Sequence, residues 1–383
     1  MFLVMRSFIF KSIVLSIFSV SLFSCVGNNN ALPENYSPAD IRYAEYLRMG
    51  DCGDYFVVDI VNPWDTTRLL QRYLLIDSLQ PVPEDIPDGK IVKTPVGNIV
   101  VYSSVHTSII EKLGAVERIA GVCEPEYILS QAVREKVKNG EIADCGKSLS
   151  PSVEKIIQAQ GRIIIASPFE NNSYASAEKL SLPIIEGADY MENNPLGRAE
   201  WIKLYGYLLG VPEMADSIFA EIESNYNSLK NQVAQAIAAG KQRPTMISEK
   251  KYGNSWGVPG GLSYISVMYE DAGAKNIFAD YRQTGSVMLS FEEVFTKGIN
   301  ADYWFFKYNS DGDYTYEDLL GEYPLYEKFD AFKNRKIFGC NTSYVPYYDD
   351  ITLRPDMILA DFIKIFHPEL LPDYTLKYFL PLK

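Results

Sequence analysis

Val105-His-Thr-Ser-Ile-Ile-Glu-Lys-Leu-Gly-Ala115 is echoed further along the chain by Tyr264-Ile-Ser-Val-Met-Tyr-Glu-Asp-Ala-Gly-Ala274. Each run leaves a turn of small residues, passes through an apolar-periodic stretch with a glutamate at the same offset, and stops at Gly-Ala. That is the spacing of a short helix ending on a glycine. A second pair follows in the same order: Leu149-Ser-Pro-Ser-Val-Glu-Lys-Ile-Ile leads into Arg162-Ile-Ile-Ile-Ala166, and Leu289-Ser-Phe-Glu-Glu-Val-Phe leads into Tyr303-Trp-Phe-Phe306. Two copies of one α/β unit predict two similar lobes, and two facing lobes leave a cleft.

Outward from the first copy, strands are expected at 99–102, 119–122 and 163–166 and helices at 105–115 and 150–158, an alternation that favours a parallel sheet with flanking helices. Between the copies the pattern turns helical. Trp201, Leu204, Tyr205, Leu208 and Leu209 share one face, and after Pro212 a run from Met214 to Ile237 keeps helical spacing until Gly240 and Pro244. A helix over 213–239 would be about 40 Å long at 1.5 Å per residue, enough to cross from lobe to lobe. The second lobe opens with a strand at 245–248 and a glycine-rich turn, Gly257-Val-Pro-Gly-Gly-Leu262, and closes with a strand at 336–339 and an amphipathic helix at 357–366. The expected fold is therefore α/β, two Rossmann-like lobes joined by a long backbone helix. Its divisions are a signal peptide (1–24), a tether (25–35), an N-terminal lobe (36–195) with a strand-bearing extension (36–89), bridging helices (196–243) and a C-terminal lobe (244–383).

The first residues read as a secretion signal: Arg6 and Lys11 flank an apolar run ending in Leu22-Phe-Ser-Cys25. Leu22 and Ser24 sit three and one positions before Cys25, as in a bacterial lipobox, which predicts lipidation at Cys25. Asn28-Asn-Asn30 lies in a stretch with the composition of a flexible tether. The net charge of −13 argues against a nucleic-acid partner, which needs a basic surface. The 27 tyrosines exceed what a core requires and suit a cleft that stacks on a flat ligand, although tyrosine is also common in exported proteins. Cys52, Cys123, Cys145 and Cys340 show no zinc spacing. Cys123 and Cys145 either pair in an oxidising compartment or remain buried thiols.

No Gly-x-Ser-x-Gly elbow, Walker phosphate loop or His-Glu-x-x-His helix is present, so no catalytic residue is assigned. With only His106 and His367, a site for bare Zn²⁺ or Mn²⁺ is poorly supplied. No protein-bound cofactor or metal is expected. A metal would arrive already chelated.

Taken in order, the phrases Ser103 to Val122, Ser150 to Ala166, Gly257 to Ala274, Ser290 to Phe306 and the closing Phe366-His-Pro-Glu-Leu resemble the class III periplasmic solute-binding proteins of ATP-driven (ABC) importers. That group captures ferric siderophores, haem and cobalamin. Ala188-Asp-Tyr-Met-Glu, Gly197-Arg-Ala-Glu-Trp and His367-Pro-Glu-Leu-Leu-Pro-Asp-Tyr are most similar to lipoprotein members from Bacteroidetes, while 36–89 is outside the general pattern. The resemblance implies a monomeric, lipid-anchored periplasmic binding protein. It would hand a chelated iron complex or a corrinoid to an ABC permease and its ATPase, without catalysis. Two other readings are an exported enzyme acting on a tetrapyrrole or siderophore, and a surface lipoprotein serving an outer-membrane receptor. No nucleophile with its base supports the first, and no acidic cluster after Cys25 supports the second.

Ligands of open parallel sheets bind beyond the carboxyl ends of the strands. The candidate ligand-binding residues there are His106, Thr107 and Tyr127 in the first lobe, with Lys250, Lys251, Tyr252, Trp256, Lys307, Tyr308, Tyr344, Tyr347 and Tyr348 in the second. The recurring lysines would focus an anionic ligand. Alternatives stand beside several: a solvated loop for Lys250 and Lys251, the core for Trp256, a helix-capping role for His106. Tyr347 and Tyr348 are expected in an exposed loop. In the family an acidic residue on each lobe meets permease arginines. The positions in the first turn here hold Ser108 and Val267, so the expected docking pair is Glu111 and Glu270, one turn later, or else these are ordinary solvated helix charges.

Overall fold

The repeated helices form as their sequences dictate. In this computed structural model, which describes residues 32–170, 174 and 177–383, they span Ser104–Lys112 and Tyr264–Asp271. Each is capped by the serine before it: Ser103 accepts the Val105 N–H, and Ser263 accepts the Ser266 N–H. Each ends on a glycine with positive φ, 68° at Gly114 and 80° at Gly273, whose following alanine N–H returns to a carbonyl of the last turn. The leader and Cys25 lie outside the described residues.

Each helix belongs to its own parallel sheet. In the first, the order is Ile184–Glu186, Ile163–Ala166, Ile99–Val101, Ile119–Val122, Ala143–Asp144, every pair parallel. In the second it is Lys275–Asn276, Thr245–Ser248, Tyr303–Tyr308, Ile337–Asn341, parallel throughout, with Leu380–Pro381 antiparallel on the edge. In both, the earliest strand sits between the next strand and a later one, so the chain reverses direction of growth beside it. That is the switch point at which open sheets leave a crevice.

One helix, Pro212–Ala238, runs 27 residues and buries Ala215, Phe219, Ile222, Tyr226 and Val233. Its stripe packs on Ile202–Leu209 and on Pro355–Phe366. Two polar contacts add direction: the Tyr226 hydroxyl donates to Asp271 (2.9 Å) and the Asn225 amide to Asp356 (3.3 Å). Among the described residues no helix is long and apolar enough to cross a membrane.

The extension forms a further five-stranded sheet, Ser37–Pro38, Leu47–Asp51, Phe56–Val61, Leu69–Asp77 and Lys90–Thr94, in chain order. It is riveted to the rest by buried and half-buried groups. The Tyr73 hydroxyl donates to the Ile184 carbonyl (2.7 Å) and accepts the Glu186 N–H (2.9 Å). Phe56 stacks on Tyr207 with centroids 3.9 Å apart.

Two local expectations are corrected, and the alternative left open for two cysteines is decided. Gly257, Val258 and Pro259 belong to the strand Ser255–Pro259 of a small antiparallel sheet with Lys251–Tyr252 and Ser286–Leu289, leaving only Gly260, Gly261 and Leu262 for the turn. Tyr347 and Tyr348 open a helix, Tyr347–Leu353, in which Tyr347 is buried. Cys123 and Cys145 are free and buried, like Cys52 and Cys340. They follow adjacent parallel strands, and the Cys145 N–H is spent on the Val122 carbonyl (2.8 Å). Burial holds both thiols protonated, pushing Cys145 up to about 11 and Cys123 higher still.

Candidate functional site

Beyond the carboxyl ends of both sheets lies a cavity of about 930 Å³. From the first sheet it is lined by Tyr102 to Val105, by Cys123, Glu124, Glu126 and Tyr127, and by Ala166, Ser167 and Phe169, the segments leaving the three strands around the switch point. Asn309, Asp311 and the run Thr342 to Asp349 line it from the second, after Tyr303–Tyr308 and Ile337–Asn341. The walls are aromatic: Tyr102, Tyr127, Phe169, Tyr174, Tyr344, Tyr347 and Tyr348. Exposed tyrosine and phenylalanine here (Tyr127 60%, Phe169 51%, Tyr344 64%) offer flat apolar faces with polar tips.

The lobes touch at this site. The helices Ser104–Lys112 and Tyr347–Leu353 pack together, and the Ser104 hydroxyl donates to Asp349 (2.9 Å), a carboxylate buried in the cavity wall. Burial raises the pKa of Asp349, while hydrogen bonds from Ser104 and Ser108 pull it back. Tyr102 is also buried, and its hydroxyl has no hydrogen-bond partner among the described residues.

Of the residues singled out in the sequence, Tyr127, Tyr344, Tyr347 and Tyr348 meet at the cavity. The others are placed elsewhere, each for a physical reason. Trp256 is fully buried, its indole N–H donating to the Ser248 carbonyl (3.0 Å), its rings 5.4 Å from Trp304 and 5.7 Å from Tyr326. It is core. His106 is 1% exposed and faces Asp189, Nε2 to Oδ1 at 3.1 Å, packed so tightly on Gly187 that a side chain there would clash with the imidazole. Thr107 is buried and returns its hydroxyl to the Ser103 carbonyl.

The lysines are spoken for. Lys250 pairs with Glu322 and lies over the Tyr314 ring; Lys307 pairs with Glu249. For Lys307 burial is the largest influence and pulls the ammonium pKa down, but the Glu249 charge and hydrogen bond together with the neighbouring Tyr269 and Tyr264 outweigh it, and the net shift is upward. Lys251 donates to the Gly253 carbonyl, and with Tyr252 it is drafted into a hairpin whose tip leaves Tyr252 91% exposed. Tyr308 turns its hydroxyl to the Tyr314 N–H and packs beside that ring. Glu111 accepts from the Ser130 hydroxyl (2.6 Å), and Glu270 pairs with Arg243.

The expected excess of positive charge is thus corrected. The charged groups lining the cavity are Glu124, Glu126, Asp311, Asp349 and Arg134. Tyr102, Arg134 and Tyr174 were not legible as site residues: Tyr102 reads as the end of an apolar strand, and the other two stand on segments away from the strand ends. The alternation rule could have flagged Tyr102, whose successor Ser103 caps the repeated helix.

This geometry, two parallel sheets whose carboxyl ends face one crevice and which a long helix joins, is that of the class III periplasmic binding proteins. The chain belongs to the periplasmic binding protein family, whose profile matches residues 99–344. It is 25% identical over 386 residues to an uncharacterized lipoprotein of Methanocaldococcus jannaschii, covering 93% of this chain and 90% of that one. Among solved structures it is similar to a periplasmic heme binding protein from Pseudomonas aeruginosa (TM-score 0.57, 14% identity, 75% of this chain and 99% of that one). It is likewise similar to an ABC-type Fe3+-hydroxamate transport system protein from Saccharomonospora viridis (TM-score 0.55, 16% identity, 71% and 94%). At such identities the likeness is one of fold.

Proposed function

We propose that this protein captures a chelated iron complex or a corrinoid in the cavity between its sheets and delivers it to an ABC permease, held at the membrane by a lipid on Cys25. The observation that carries the reading is the cavity itself. Its volume of about 930 Å³ lies at the upper end of the range of roughly 300–1,000 Å³ typical of small-molecule sites. Its walls of tyrosine and phenylalanine suit a large ligand with flat or rounded faces. The family supplies the setting, since its members are solute-binding proteins, and the lipoprotein relative agrees with an anchored form.

The test is native mass spectrometry, with an absorption spectrum, of the protein purified from its own host. A single adduct of small-molecule mass with the absorbance of a ferric chelate, haem or corrinoid is expected. Protein that emerges without an adduct and binds none of these in titration would remove the reading.

A further inference from the structure

Resting on the reading of this cavity as a chelate site, the charge of its walls narrows what can enter. Glu126 is neutralised by Lys147 (2.5 Å), which leaves Glu124, Asp311 and Asp349 against Arg134 alone. None of the three makes an ion pair among the described residues: Glu124 accepts the neutral Ser148 hydroxyl (3.2 Å), with the Lys147 charge nearby, and Asp349 accepts the hydroxyls of Ser104 (2.9 Å) and Ser108. Glu124 is further held at φ 51°, a left-handed conformation that a residue with a side chain adopts at a cost, and such strain gathers at ligand sites. The chain as a whole carries −13, so the surrounding field reinforces the sign of the cleft. Tyr102 adds an observation of another kind, a nearly fully buried side chain in the same wall whose hydroxyl lacks a partner. A polar group left so is completed most simply by a ligand.

We infer that the cavity selects a neutral or cationic chelate and discriminates against polyanionic ones, because a polyanion would sit beside three carboxylates that no ion pair neutralises. The protein, loaded into buffer of low ionic strength, is titrated by intrinsic fluorescence with four probes. Two are ferrioxamine B, a ferric trihydroxamate with a free ammonium, and cyanocobalamin, which is neutral; the others are a trianionic ferric tricatecholate and haem with its two propionates. The tightest binder is expected in the first pair, by about tenfold or more, the order of effect that like-charge juxtaposition produces. In the Glu124→Gln and Asp311→Asn variants that gap should narrow by about threefold or more, and added salt should narrow it in the wild type. Tightest binding by the tricatecholate or haem, or a gap that neither variant moves, overturns the inference while leaving a chelate site in place. Binding of none of the probes removes the chelate reading and this inference with it.

Discussion

Tyr102 and Trp256 show how much the surroundings of a single ring decide. Both follow or sit in strands, both are buried, yet the Trp256 N–H reaches a carbonyl and the Tyr102 hydroxyl reaches nothing among the described residues. Burial pushes the Tyr102 phenol far above its ordinary range, so it stays protonated and able to donate. A buried polar group without a partner costs about 1–3 kcal/mol. Tyr102→Phe should therefore hold or raise stability in urea unfolding of the ligand-free protein, while loosening the captured ligand by roughly 2–10-fold, the worth of one net hydrogen bond. Loss of stability with unchanged affinity would mean that the hydroxyl serves the fold instead.

At the scale of elements, the N-terminal sheet is attached by carboxylates rather than by apolar area alone. Glu200 accepts the N–H groups of Arg42, Tyr43 and Ala44 at 2.7–3.0 Å, and Glu192 those of Glu45 and Tyr46, together with the Trp201 indole. The strands of this extension are partly readable from their alternation, but the segment between the first two is not. Its backbone donors are satisfied by glutamates more than 140 positions away, and no local pattern announces such partners. Burial lifts Glu192 to about 7, against the pull of its three N–H donors. A carboxyl raised in the folded state binds its proton more tightly there than in the unfolded chain. Its contribution is therefore full below its ordinary range and is lost as pH rises through about 7. Urea midpoints measured from pH 5 to pH 8 should fall with pH in the wild type, by at most about 1.4 kcal/mol per unit from this group. In Glu192→Gln the slope should be shallower. Parallel slopes would place the titration on the other buried carboxyls.

Over the whole molecule, what was legible follows from repetition. The small-residue turns and the Gly-Ala stops are local signals repeated in order, and with the bridge at 213–239, found as Pro212–Ala238, they define two lobes and a cleft. The particular walls of the cleft were less legible, because strand ends do not all open onto it. Thr245–Ser248 runs into a hairpin that carries Lys251 and Tyr252 away, and its neighbours Lys250 and Lys307 are consumed by Glu322 and Glu249. The same symmetry bears on how the protein would meet its importer. Glu111 and Glu270 stand at one offset in the two repeated helices. Neither is an idle charge: Ser130 donates to the first and Arg243 pairs with the second. A permease arginine would have to add to the hydroxyl at one end and displace or share Arg243 at the other. That predicts unequal weight, with Glu111 the stronger anchor. Glu111→Arg should abolish stimulation of the importer's ATPase, Glu270→Arg should reduce it, and Arg243→Ala should leave it intact or raise it. Ligand affinity in solution should be the same in all three. Normal stimulation by a protein carrying both glutamate changes would put docking on other residues.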